Sequence, residues 1–201
     1  MISLKQRIAR DLHQQFWEWG FAGLGVEALR KGADVSIRTL YKHFPSREAM
    51  IVGALEHHDA AYFEWLLGGP TQGIDHILHP IVRLGDWLEM VSNTGCLFTN
   101  AMAEHPDSVA IAHVVKAHKA RLEEVFHIRL AHIAPQQETG DIANTLFVLH
   151  EGMTVVAQIK GPKAATRQTL RAARIILAAG NIAGPTVPAS RKSISINTIF
   201  R

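Results

Sequence analysis

One decapeptide concentrates the side chains best suited to reading a polyanion. In Val35-Ser36-Ile37-Arg38-Thr39-Leu40-Tyr41-Lys42-His43-Phe44, followed by Pro45, a guanidinium, two hydroxyls, a phenol and an ammonium lie within eight residues. At 100° per residue, Ser36, Leu40 and Phe44 share one side, Arg38 and Lys42 fall opposite, and Thr39 and Tyr41 flank them. Ser36 is placed to cap a helix by accepting from a first-turn amide, and Pro45 disfavours helical geometry at Phe44. A helix of about two turns is unstable alone, so Leu40 and Phe44 must dock on neighbouring helices while the polar face projects outward. The preceding Val26–Asp34 supplies a short helix and a tight turn, which completes a helix-turn-helix able to enter a major groove. On that reading Arg38 and Thr39 contact base edges and Ile37 a thymine methyl. Tyr41, Lys42 and Arg47 contact phosphates, and Ser36 and His43 complete the DNA-contacting set.

A second group of residues suggests small-molecule binding. Phe63, Trp87, Met90, Cys96, Phe98, Met102, Phe147 and His150 are aromatic or sulfur-bearing for the most part, and with Asn100 and His113 as polar anchors they suit an adaptable apolar effector pocket. The lone Cys96 raises a thiol-based sensor of electrophiles or oxidants as an alternative, which requires a stabilised, accessible thiolate. Twelve histidines invite a metal reading, above all His57-His58 and His76 with His79. No Cys-His or His-Glu-x-x-His pattern accompanies them, so they read as surface histidines, and no metal or cofactor is expected. Glycine-rich phosphate loops, nucleophile elbows and paired-carboxylate motifs are absent, which argues against an enzyme.

The elements that must position these groups are helical. Leu4, Ile8, Leu12 and Phe16 recur every four residues, closed by Trp19 and stopped by Gly20. After Pro45 a long helix runs to about Leu67, and another from about Gly73 to Val91 in which Pro80 is expected to kink or interrupt the chain. Ser92-Asn93-Thr94-Gly95 reads as a turn, Cys96–Glu104 as a short helix, and a long helix follows to about Ile133. Two further helices, about Asp141–Lys160 and Ala164–Ala179, carry apolar stripes, the first on more than one side. They are expected to form a homodimer interface as a four-helix bundle with their symmetry mates. The expected fold is all-α: an N-terminal three-helix helix-turn-helix domain (1–46), a larger helical effector-binding and dimerisation domain (47–180), and a flexible tail (181–201).

Composition sets the outer limits. The chain of 201 residues is 47% hydrophobic, enough for a sizeable core, without an uninterrupted apolar run near 18 residues or an N-terminal secretory segment. A cytoplasmic protein with no membrane association is expected, and a single cysteine fits a reducing compartment. Residues 1–50 hold 8 Lys and Arg against 5 Asp and Glu, whereas residues 51–201 are balanced. The whole positive excess therefore falls on the segment proposed to meet phosphate.

Gly20-Phe21, Val26, Ala28-Leu29, Ala33, Val35-Ser36, Thr39-Leu40-Tyr41, His43-Phe44 and Ser46-Arg47-Glu48-Ala49 resemble, in order and spacing, the pattern of the tetracycline-repressor (TetR) family of bacterial transcription regulators. The resemblance covers about the first fifty residues. It implies a homodimeric repressor that binds a palindromic double-stranded operator and is released by a small-molecule effector, with the helix after Pro45 setting the separation of the two recognition helices. The chain departs from the family's pattern at Leu24-Gly25, where a hydroxyl residue usually caps the second helix, and at Arg30, where a small residue is usual. Asp34 stands at the usual turn glycine, and Arg38 at a glycine inside the recognition helix. Gly95–Glu104 is similar to a stretch that, in one subset of the family, forms a helix beside the ligand cavity.

Overall fold

The computed structural model describes residues 2–90 and 95–182, and among them the chain forms nine α-helices and no strand. They are α1 Leu4–Trp19, α2 Val26–Gly32, α3 Ile37–His43, α4 Arg47–Leu66, α5 Gly73–Met90, α6 Leu97–Glu104, α7 Val109–Ile133, α8 Gly140–Lys160 and α9 Pro162–Ala179. Residues 92–94 of the expected turn and nearly all of the expected tail lie outside the described residues.

Contacts divide the chain into two compact units, one reaching Glu64 and including Cys96–His118, the other comprising Trp65–Gly95 and the chain from Lys119 on. The division differs from the sequence boundary at residue 46 because α4 does not begin a new core. Met50, Ile51, Ala54 and Leu55 are fully buried with Ile8, Leu12 and Phe16 of α1, Leu29, Leu40 and Phe44. Leu97, Phe98, Ala101, Ile111 and Val115 close the same cluster. Gly53 makes that approach possible, since a Cβ there would lie 2.4 Å from the Phe44 ring.

The helix ends of this first unit follow from local chemistry. Ser3 and Gln6 form a reciprocal capping box at α1, with Gln6 N donating to Ser3 Oγ and Ser3 N to Gln6 Oε1. At the end of α2 the Asp34 amide donates to Lys31 O and the Val35 amide to Arg30 O, the paired bonds of a Schellman motif. Its αL position is filled by Asp34 at φ 48°, a conformation that glycine adopts without steric cost. The same motif closes α9, where Asn181 at φ 55° bonds Ala178 O and Ile182 N bonds Leu177 O. It folds Ile182 back to 4% exposure, so the folded part extends past the expected start of the tail.

In the second unit α5, α8 and α9 pack on one another, with Gly85 meeting Thr166 so closely that a Cβ would lie 2.5 Å from its hydroxyl. Of the kink or interruption expected at Pro80, the interruption does not occur, and α5 runs on through the proline. Proline supplies no N–H to the carbonyl four residues back, which is that of His76. Arg129 Nη1 of α7 donates to that carbonyl at 2.8 Å and so replaces the missing donor. Arg83 lies over the Trp65 ring at 3.5 Å and donates through Nε to Trp65 O, while Trp65 Nε1 donates to Arg83 O at 2.9 Å. These bonds fix the end of α4 to α5. α8 is long and apolar enough to cross a membrane by length and composition alone. It buries Ala143, Leu146, His150, Met153 and Ala157 within its unit and leaves Val148, Val155 and Ile159 exposed.

Candidate nucleic-acid interface

The seven residues of α3 are held at both ends and from beneath. Ser36 Oγ accepts from Thr39 N at 3.1 Å, and Phe44, in extended backbone before Pro45, returns its amide to Leu40 O. Leu40 is fully buried and Phe44 nearly so, with the Lys5 ammonium 5.6 Å from the Phe44 ring centre. With that side fixed, Ser36, Ile37, Arg38, Tyr41 and Lys42 are exposed, and Thr39 and His43 are half-buried. Ile37 and Tyr41 keep 49% and 42% of their surface in solvent, an exposure that core packing does not require. A cationic and polar face with two exposed hydrophobic side chains is therefore displayed on a rigid support. Arg30, Lys31, Asp34, Val35 and Ser36 line an open depression beside it.

Two assigned residues carry additional bonds. The Thr39 hydroxyl lies 2.9 Å from Ser36 Oγ, which restrains its rotamer. Arg47, assigned from sequence to a phosphate, donates through Nη2 to Phe21 O and sets its guanidinium 5.8 Å from the Phe16 ring centre. Its position is thus governed by the α1–α2 connection. The long-range partner could not be read from sequence, because Phe21 and Arg47 are 26 residues apart.

The residues expected at an effector pocket are distributed over the two units. In the first, Phe63 and Phe98 are buried around His118, whose ring stacks on Phe98 at 3.7 Å and bonds Asp59 Oδ1 at 2.8 Å. Cys96 is half-buried at the N-cap of α6, whereas Asn100, Met102 and His113 are exposed. In the second, Trp87 and His150 are buried, Phe147 is half-buried and Met90 is exposed. Burial pushes the His150 imidazole below its ordinary pKa, with the Phe126 ring edge-on at 5.9 Å. Met90, Asn100, Met102 and His113 lie at the surface, because their helical phases turn them away from the buried stripes.

The histidines also differ from the surface residues expected. His58 is 5% exposed and shares a proton with His13, Nδ1 to Nε2 at 2.8 Å, between α4 and α1. Burial lowers His13 to about 3, with the His57 charge adding to the effect. Burial likewise lowers His79 to about 4, helped by the charges of Arg129, Arg83 and His76. Among the described residues no three His, Cys, Asp or Glu side chains converge for a metal ion.

Residues 12–54 match the family model described as bacterial regulatory proteins, tetR family. Through this segment the chain is similar to the TetR family. Its helix-turn-helix, α2 to α3, lies wholly inside the match. A segment of 90 residues is 36% identical to the transcriptional repressor NemR of Escherichia coli, covering 42% of this chain and 45% of NemR, so the match spans about half the length of that relative. The fold is shared more widely. SCO4454, a TetR-family transcriptional regulator from Streptomyces coelicolor, superposes with a TM-score of 0.79 over 88% of this chain and 95% of that one, at 20% identity. The reduced form of E. coli NemR superposes with a TM-score of 0.67 over 84% of this chain and 95% of that one, at 21% identity.

Proposed function

We propose that the protein is a cytoplasmic, homodimeric transcriptional repressor that binds a palindromic operator and is released by a small-molecule effector. The observation that carries the reading is α3, whose Leu40 is fully buried while Arg38, Tyr41 and Lys42 face solvent on a capped and docked helix. Arg38 and Thr39 read base edges, Ile37 meets a thymine methyl, and Tyr41 and Lys42 hold phosphates. Ser36, His43 and Arg47 set the helix and its surroundings. Two copies pair through α8 and α9, whose exposed Val148, Val155, Ile159 and Ile175 supply apolar surface for a partner. Two such helices then enter successive major grooves about one turn, roughly 34 Å, apart. The effector is a small molecule, and it relieves repression only through its affinity difference between two states. Selection of operators from random duplex DNA by the full chain tests the reading: recovery of an inverted repeat supports it, and recovery of no sequence overturns it.

A second reading, thiol sensing, is favoured by the partial exposure of Cys96 at the start of α6 and by a relative described in a reduced form. Treatment with a thiol-modifying reagent should then lower operator affinity in the wild type and leave Cys96→Ser unaffected. Equal affinity before and after treatment excludes it.

A further inference from the structure

The first helix of the helix-turn-helix begins without a side-chain cap. Gly25 holds the N-cap position of α2, and no side chain accepts from the first-turn amides. The approach to it, Gly20-Phe21-Ala22-Gly23-Leu24-Gly25, has three glycines in six residues, a composition with much backbone freedom to lose on ordering. Two side chains remote in sequence hold this loop. Arg47 donates to Phe21 O, and Glu104 Oε2 accepts from the Ala22 amide at 3.1 Å across 82 residues. The adjacent His105 sets its ring against Phe21, centroids 6.2 Å apart at 78°.

We infer that Glu104 is a positioning residue for DNA binding. Its carboxylate, on the last turn of α6, fixes the α1–α2 loop and hence the approach of α2 to the duplex, taking over the restraint that an N-cap side chain would supply. The inference rests on the operator-binding reading above. A carboxylate that accepts from a backbone amide is a charge-assisted bond, and this one is exposed, so it governs local opening of the loop more than global unfolding.

The test uses the full chain and the operator selected by the wild type. Glu104→Ala should speed hydrogen exchange at the Ala22 amide and raise operator Kd about five- to tenfold, the equivalent of one lost cap. Its thermal unfolding should be nearly unchanged. Glu104→Gln keeps an oxygen that can accept from the amide and should stay within about twofold of wild type, the scale of a few tenths of a kcal/mol. Gly25 has φ −75° and ψ 163°, which suits a capping residue, and a Cβ there would meet nothing within 4 Å. Gly25→Ser added to Glu104→Ala should therefore recover most of the lost affinity. Unchanged binding by Glu104→Ala, equal weakening by the Ala and Gln variants, or no recovery from Gly25→Ser would each overturn the inference. Failure of the wild type to select any operator would instead remove the DNA-binding reading itself.

Discussion

Arg38 and Lys42 both project from α3, yet their charged groups suit different parts of a duplex. A planar guanidinium pairs with the two acceptors of a guanine edge, whereas an ammonium on a flexible stem behaves as a point charge toward phosphate. Arg38→Ala should relax preference at particular base pairs by about 1–3 kcal/mol. Lys42→Ala should weaken binding to all sequences and reduce the salt slope by about one, as read by titration at several salt concentrations. The reverse pattern would exchange the two roles. At the same scale, the His13–His58 pair ties stability to pH. The folded-state pKa of His13 is lowered to about 3, so the folded protein binds fewer protons than the unfolded one below pH 6.5. Its contribution is therefore complete above pH 6.5 and is lost as pH falls toward 3. Denaturant unfolding at pH 7 and 4.5 should show a drop that is smaller in His13→Gln than in wild type by up to about 3 kcal/mol, the linkage limit for one group.

At the scale of elements, two helices carry local faults that other residues compensate. In α5 the fault is Pro80, and the remedy is the Arg129 bond to His76 O. Arg129→Ala should destabilise the fold by about 1–3 kcal/mol by leaving that carbonyl without its donor. In a Pro80→Ala background, where the missing N–H returns, the same change should cost less, and a double-mutant cycle of unfolding free energies measures the difference. Additive costs would deny the link. In α2 the fault is Asp34, which holds the αL position of the Schellman motif at φ 48°. Asp34→Gly relieves that strain at some cost in chain entropy, so a net gain of about 0.5–1 kcal/mol is expected in thermal unfolding. A lower melting temperature would show that the carboxylate contributes something else there.

For the whole molecule, the proposed operator recognition requires two copies. Val155 and Ile159 lie one turn apart on α8 and keep 55% and 74% of their surface exposed, and Ile175 on α9 keeps 62%. In the proposed pairing through α8 and α9, a carboxylate introduced on that face would be buried against the partner copy. Val155→Glu with Ile159→Glu should therefore yield a monomer in sedimentation velocity, fold normally by circular dichroism, and lose most operator affinity. Lys42→Ala, which lies outside that face, should remain a dimer. A wild type that sediments as a monomer while binding its operator would remove the dimer from the mechanism.

By itself the sequence determined what depends on neighbours along the chain. The four-residue stripe of α1, the Ser36 cap and Pro45 stop of α3, and the apolar stripes of α8 and α9 are set by periodicity and by side chains bonding their own backbone. Those rules operate over a few residues, so the helix bounds and the polar face of α3 were legible. Tertiary structure alone decided the partners that bridge long intervals: Arg129 on the carbonyl left by Pro80, Glu104 and Arg47 on the α1–α2 loop, and His13 against His58. Buried polar groups must find partners wherever packing brings them, and no local pattern encodes which. For that reason His58, read from sequence as a surface residue, lies in the core, and the helix in which Pro80 was expected to kink or interrupt the chain runs on without interruption.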